Sequence, residues 1–260
     1  MRRLTAGAVA LLALCAALVG CHSAPKDDPI LKLSSEEAFA EGQRLVEEKK
    51  YDRAQEYFGH AFQVAPNTSV GREALLLQAE ALYLDGGEDN YIKAEARYRD
   101  FLNRFPTSDR ADYAQYQLAR SLEARMRKPD RDQSATRKAL DAYGDLLQLF
   151  PTSEYVDEAE AGIDRIRDNL AEHEFLVGKY QLRRGLAGAA VSRFEGLLEG
   201  YPEYGDRAKV LHHLGRAYHK MDEDQKALET FERLEQEYPE SEWARDIPKW
   251  VGGIPKEVQS

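Results

Sequence analysis

Residues 190–202 read Ala190-Val-Ser-Arg-Phe194-Glu-Gly-Leu197-Leu-Glu-Gly-Tyr-Pro202, and their skeleton occurs five times in the 260-residue chain. It consists of Ala, an aromatic four residues on, an apolar residue three further, and Pro twelve residues after the Ala. The other copies are Ala54/Phe58/Ala61/Pro66, Ala94/Tyr98/Phe101/Pro106, Ala139/Tyr143/Leu146/Pro151 and Ala227/Phe231/Leu234/Pro239. Spacings of four and three put the first three positions on one helical face. The Pro ends the helix, because it lacks a backbone donor and disfavours a helical residue before it. Units that cannot bury a face alone must stack, so five copies in register predict an array of helices and no single catalytic pocket.

Each copy needs a partner helix with a small residue where the aromatic fits. Gly42, Gly178 and Gly215 stand twelve residues before Ala54, Ala190 and Ala227, and Ala79 and Ala119 fill the slot of repeats two and three at distances of 15 and 20. The longer turns contain Gly86-Gly87-Glu-Asp-Asn90 and the segment 125–134. Leu214-Gly215-x-x-Tyr218 with Ala227, Phe231 and Pro239 resembles the tetratricopeptide repeat. The expected fold is therefore all-α, a right-handed solenoid of about five tetratricopeptide-like helix-turn-helix repeats. The step from Pro to the next slot is thirteen residues three times but 27 between Pro151 and Gly178. Those fourteen extra residues predict an extended first helix in repeat four. It is either one helix over 153–184, ~46 Å at 1.5 Å per residue, or two helices broken near Asn169. Thr68/Ser69, Ser108, Ser153, Asp206 and Ser241 are candidate N-caps, and Ser34-Ser35-Glu36-Glu37 a capping box. After Pro239 a short helix over 241–247 can cap the array with Trp243, before Pro248, Gly252, Gly253 and Pro255 interrupt. Trp250 and Ile254 then either dock irregularly or await a partner.

The N-terminus carries a different signal. Arg2-Arg3 followed by an apolar run over 6–20 reads as a secretory signal, too short to span a bilayer. Leu18-Val19-Gly20-Cys21 resembles a bacterial lipobox, in which Cys21 receives lipid (palmitate among the chains) and becomes the mature N-terminus. Cys15 follows Leu14 and does not fit that pattern. His22, where Asp would stand, resembles the enterobacterial signal for the outer membrane. The chain then divides into a signal peptide at 1–20, a tether at 21–33 and repeats one to three at 34–151. Repeats four and five with a short cap fill 152–247, and an irregular tail 248–260. Losing residues 1–20 removes two bases from a chain of net charge −10, leaving −12. Such acidity disfavours nucleic acid and anionic surfaces, so the membrane contact falls to the lipid alone.

No phosphate loop, nucleophile elbow or paired-Cys metal motif occurs, and no cofactor, metal or catalytic residue is expected. His212 and His219 lie two turns apart on one face, too far for an i, i+4 metal pair. Tetratricopeptide arrays line their concave surface with first-helix residues around the small slot. By that likeness Phe39, Gln43, Val46, Leu76, Glu80, Tyr83, Tyr113, Tyr116 and Arg120 form an aromatic and apolar half, suited to an extended peptide. Tyr83 and Tyr116 could equally pack between helices. Phe175, Lys179, Leu182, Lys209, His212, Arg216 and His219 form a second half with a positive strip, suited to an acidic partner surface. Residues 120–138 hold seven bases against three acids, either a solvated loop balancing nearby acids or a third feature.

Motifs outside the repeat consensus narrow the family. Asp112-Tyr113-x-x-Tyr116, Arg131-Asp132-Gln133-x-x-Thr136, Pro151-x-Ser153-x-Tyr155 and Leu170-Ala171-x-x-Glu174, with Tyr180, Ala189-Ala190, Arg193-Phe194 and Tyr201-Pro202, resemble the BamD family of outer-membrane assembly lipoproteins over 34–244. The resemblance implies a non-enzymatic scaffold, lipid-anchored on the periplasmic face of the outer membrane. Its implied partners are the BamA POTRA region, through the C-terminal repeats, and the targeting segments of unfolded β-barrel proteins, through the N-terminal repeats. The short, Pro/Gly-broken C-terminus departs from that pattern. Another repeat lipoprotein, a pilotin or an envelope-division coordinator, is the alternative.

Overall fold

The computed structural model describes residues 28–252; the lipobox Cys21, the signal peptide and Ile254 lie outside them. A short 3-10 turn, Pro29–Lys32, leads into the array. Five helix pairs follow. They are α1 (Ser35–Glu47) with α2 (Tyr51–Val64), α3 (Ser69–Asp85) with α4 (Glu88–Arg104), and α5 (Ala111–Glu123) with α6 (Ser134–Leu149). Then come α7 (Val156–Arg183) with α8 (Ala187–Gly200) and α9 (Arg207–His219) with α10 (Asp224–Glu237), before the short α11 (Glu242–Asp246) and α12 (Pro248–Val251). Every helix packs on its neighbours in sequence, and each first helix also touches the next first helix, α1 on α3, α3 on α5, α5 on α7 and α7 on α9. The first helices thus form a continuous inner row. The chain is an all-α tetratricopeptide-like solenoid.

The recurring Pro sets the helix ends uniformly. α2, α4, α6, α8 and α10 each stop two residues before it, and the intervening residue (Ala65, Phe105, Phe150, Tyr201 or Tyr238) has φ between −131° and −139° with ψ of 54–67°. That is the displacement out of the α region that a following Pro ring imposes. The starts are less uniform. Ser34 and Glu37 form the expected capping box, and the Thr68 and Ser241 side chains accept from the N–H of Gly71 and Ala244. Ser108 and Ser153 do not cap: α5 and α7 begin three residues later, and each hydroxyl instead accepts a turn N–H two residues on. Asp206 precedes α9, but its carboxylate is drawn to Lys209 and makes no cap bond. Pro248 does not interrupt the chain as expected; it opens α12, where its missing N–H has no intrahelical role.

Close approach of the paired helices depends on the small slot. A Cβ built on Gly42, Gly178 or Gly215 would sit 2.6–2.7 Å from the ring of Phe58, Phe194 or Phe231. Each ring therefore lies against bare backbone, and all three are fully or almost fully buried. Ala79 and Ala119 are wholly buried in repeats two and three, where the aromatics are Tyr98 and Tyr143. Tyr143 lies against Gly162 of α7, and its hydroxyl donates to Glu123 of α5 at 2.5 Å.

α7 is one continuous helix of 28 residues, about 42 Å long. Its middle holds the long α5–α6 turn. Asn169 Nδ2 donates to the Arg127 carbonyl at 3.2 Å, and His173 Nδ1 lies 2.6 Å from that of Pro129. Within the turn, Gln133 Nε2 donates to the Lys128 and Arg131 carbonyls, and Thr136 Oγ1 donates to Gln133 Oε1 at 2.8 Å. The extra helical turns serve as a strut for the inserted loop.

Glycine substitutions separate the slot from the surface. Gly215→Ala drives a methyl into the Phe231 ring and lowers stability by about 1–3 kcal/mol. Gly196→Ala, in α8 where a Cβ meets nothing within 4 Å, raises it by roughly 0.5–1 kcal/mol. Urea denaturation of the two single variants checks the opposite signs.

Candidate binding groove

Position relative to the slot decides whether an inner-row residue faces outward. Residues one after the slot are Gln43, Glu80, Arg120, Lys179 and Arg216, and all are exposed or half-buried. Residues three before it lie one turn along the same face and tuck between neighbouring first helices. Leu76, Phe175 and His212 are consequently buried at 0%, 3% and 1% exposure, and so is Leu182, four after its slot. These four were expected to face a partner; packing between helices removes them from the surface. Phe39 and Tyr116, at the same position in repeats one and three, stay half-buried, and Phe39 lies edge-on to Phe58 at 5.7 Å. Val46 packs on the same first cluster.

In repeats two and three the inner face forms one linked aromatic surface. The Arg120 guanidinium lies over Tyr83 at 4.8 Å and over Tyr116 at 5.6 Å. Tyr116 stacks on Tyr155 with centroids 4.8 Å apart and planes 9° from parallel, and Tyr113 meets Tyr155 at 5.7 Å. Arg110 covers Tyr113 at 4.7 Å. Gln117 Nε2 donates to Tyr113 Oη at 2.9 Å, and Arg120 Nη1 donates to Gln117 Oε1 at 3.2 Å. Burial, together with the Glu80 carboxylate, pushes the Tyr113 phenol up to about 12. Burial also raises Tyr116 and Tyr155, so all three stay protonated donors at neutral pH. Tyr83 and Tyr116 therefore do both things: one part of each ring packs and the rest stays open. Such arginine–tyrosine contacts contribute about 0.5–2 kcal/mol each and hold the rings in fixed orientations before any ligand arrives. Tyr155 and Arg110 lie in the turns before α7 and α5, outside the slot spacing that found the others.

The C-terminal half is not an open positive strip. Lys209 donates to Glu172 at 2.6 Å and Asp206 at 2.8 Å; burial opposes its charge, but these carboxylates outweigh it and raise its pKa. His219 is paired with Asp224 at 2.6 Å. The Arg216 guanidinium lies over Trp250 of α12 at 4.0 Å, and burial lowers its pKa. The two short helices have folded over α9. His212 lies 3.1 Å from Asp246 through Nε2, with Nδ1 buried and unpartnered, and Trp243 covers its ring at 5.1 Å. Burial and then Arg216 keep His212 neutral, while bonds from Lys249 and Trp250 hold Asp246 down to about 2. Of the expected partner-facing residues only Lys179 is exposed, beside an exposed Tyr180 and Leu186 on the α7–α8 edge.

The motifs outside the repeat consensus meet one another in space. Ser153 Oγ donates to Asp112 Oδ2 at 2.7 Å beside the Tyr113–Tyr155–Tyr116 contacts, joining two of them. Glu174 takes both Arg137, at 3.8 Å, and Arg193. Residues 32–228 match the model of a family described as YfiO, outer membrane lipoprotein. The chain belongs to the YfiO family. Similar proteins named outer membrane protein assembly factor BamD include that of Rickettsia prowazekii, 30% identical over 90% of this chain and 92% of the relative. Those of Caulobacter vibrioides (26%, covering 92% and 78%) and Neisseria gonorrhoeae (29%, covering 88% and 91%) are further examples. Among solved structures, the TPR2AB-domain:pHSP90 complex of yeast Sti1 aligns over 81% of this chain and 80% of that one. Its TM-score is 0.43 at 16% identity. No described helix of this YfiO-family chain is long and apolar enough to cross a membrane.

The cap of the YfiO-family array makes a pH prediction. Burial lowers His213, which bonds the Lys209 carbonyl at 2.8 Å, to about 4 from an ordinary 6.5, with His212 and Arg216 opposing its charge. The unfolded chain therefore binds a proton between those values that the folded chain refuses. Stability is complete above pH 6.5 and falls as the pH drops towards 4, by up to about 3 kcal/mol. Tryptophan-detected urea unfolding, which reports on Trp243 and Trp250, should show this fall diminished in His213→Asn.

Proposed function

We propose that the chain is an outer-membrane protein assembly factor, a non-catalytic scaffold held on the periplasmic face of the outer membrane by lipid on Cys21. The names of the similar proteins and of the family model support assembly at that membrane. The observation that carries the binding role is the arginine-fixed tyrosine surface of Tyr83, Tyr113, Tyr116 and Tyr155. Preset rings with open faces and neutral hydroxyls suit an extended peptide rich in aromatic and apolar side chains. The targeting segments of unfolded β-barrel proteins have that chemistry, and the N-terminal repeats bind them in this reading. Gln43 and Glu80 add polar points along the same row.

The second partner is the POTRA region of BamA. The folded cap, the ion pairs of Lys209 and the His219–Asp224 contact argue against a simple positive strip. The contact instead uses the exposed α7–α8 edge, with Lys179, Tyr180 and Leu186. The two partners then occupy separate parts of one rigid array, which brings an unfolded client beside the insertion machinery.

Two variants separate the roles. Tyr116→Ala should weaken an aromatic-rich barrel-derived peptide about ten-fold and leave capture of the BamA periplasmic region unchanged. Lys179→Glu with Tyr180→Ala should do the reverse. Fluorescence titration and pull-down measure the two sides, and equal loss of both ligands in either variant counts against the division.

A further inference from the structure

The C-terminal end of the array is closed by its smallest elements. Helices α11 and α12 have five and four residues, far below the roughly 12–15 that a free helix needs in water. What holds them is what they cover. Helix α11 packs on α9 and α10, and Trp243 lies 5.1 Å from the ring of His212 and 5.4 Å from that of His213. Trp250 covers Arg216 at 4.0 Å. The two imidazoles, 5.4 Å apart, are the floor of the cap, and Phe175 and Phe194 press on His213 at 5.0 and 6.1 Å. A contact that must stay dry is therefore built on two groups that acid can charge. In neutral His212, Nε2 donates to Asp246 at 3.1 Å, so the proton-accepting Nδ1 is the atom buried without a partner. A proton added there finds no acceptor while the cap is closed. In His213, Nδ1 donates to the Lys209 carbonyl at 2.8 Å, which sends an added proton to Nε2.

The charged groups around the pair oppose a second positive charge. Lys209 and Arg216 stand on α9 itself, Lys179 on α7 and Lys249 on α12. The nearby acids are already engaged. Glu172 of α7 accepts from Lys209 at 2.6 Å and from the Tyr204 hydroxyl, and Asp206 takes Lys209 at 2.8 Å. Asp246 accepts from Trp250 at 3.1 Å and from Lys249 as well as facing His212. We propose that α11 and α12 form an acid-released cap: protonation of the His212–His213 pair opens these two helices while the five repeats stay folded. Opening gives both imidazoles water and takes Trp250 off Arg216. The end of the array then presents His212, His213 and Arg216 as one positive face in acid and a closed surface at neutral pH. Burial holds covered His213 at about 4 against an ordinary 6.5, so the closed form is fully favoured above pH 6.5 and loses ground as the pH falls. Between pH 7 and pH 5 the equilibrium moves about 20-fold towards the open form. The device depends on neither partner assignment.

Trp243 and Trp250 are the two tryptophans of the chain, so its indole fluorescence reports on the cap alone. The full chain in detergent is titrated from pH 7 to pH 4.5, following emission and acrylamide quenching beside far-UV circular dichroism. Emission should shift to the red and quenching rise about two-fold, reversibly, while the helical signal stays constant. His213→Asn and His213→Phe, neither of which can take the proton, should have the wild-type emission at pH 7 and open only at a lower pH. The phenylalanine variant keeps a ring against Phe175 and Trp243, so it serves where asparagine loosens the cap outright. Indoles that stay protected down to pH 4.5 overturn the proposal. Loss of the helical signal together with the emission shift overturns it in favour of unfolding of the whole array. An opening midpoint unchanged in both variants overturns the histidine assignment and points to Asp246 or another carboxylate.

Discussion

The structure depends on a ring meeting a backbone. Phe58, Phe194 and Phe231 lie on Gly42, Gly178 and Gly215 at a distance no Cβ would allow. That contact sets the spacing of the two helices within a repeat. It buries the three rings completely or almost so. The Pro that ends each second helix acts with it, fixing where the chain turns to begin the next unit. Because both devices recur in register, the first helices form a row and their outward positions form a surface. Binding residues on this protein are therefore set by repeat geometry before any chemistry is chosen.

Departures from the repeat concentrate at one place. The long α5–α6 turn and the extended α7 were inserted together in effect, since each supplies what the other lacks. The turn has carbonyls to satisfy, and α7 supplies Asn169 and His173 to satisfy them. Glu174 on α7 then ties the start of α6 through Arg137 to α8 through Arg193. The same region brings Tyr155 under Tyr113 and Tyr116. Scaffold and candidate groove are thus coupled, and the residues resembling the BamD family are largely those that make this joint.

The two ends of the inner row differ in how they treat charge. Around Tyr83 and Tyr116, the Arg120 guanidinium lies over both rings and donates to Gln117, while Arg110 covers Tyr113 and pairs with Glu73 at 3.1 Å. Around α9 the basic side chains are engaged: Lys209 by two carboxylates, the His219 ring by one, and Arg216 by an indole. The short helices after Pro239 close the array by covering His212 and His213, a polar pair that desolvation keeps neutral. A cap of that kind substitutes aromatic and hydrogen-bonded contacts for the full terminal helix that the chain does not have within its described residues.

Much of the fold was determined by the sequence alone, because it follows from local rules. Ala-aromatic-apolar spacing, a Pro at fixed distance and a small slot need only helical geometry, and the fourteen extra residues before Gly178 already imply the length of α7. Gln43, Glu80, Arg120 and Lys179 were legible for the same reason, standing one residue past the slot on the outward side. Leu76, Phe175, Leu182 and His212 were not, since their burial depends on how near the adjacent first helix comes. The pairing of Lys209 with Glu172, 37 residues away, and the folding of Trp250 onto Arg216 likewise have no local signature. Helical periodicity tells which residues share a face; only the packing of one repeat on the next decides whether that face meets water.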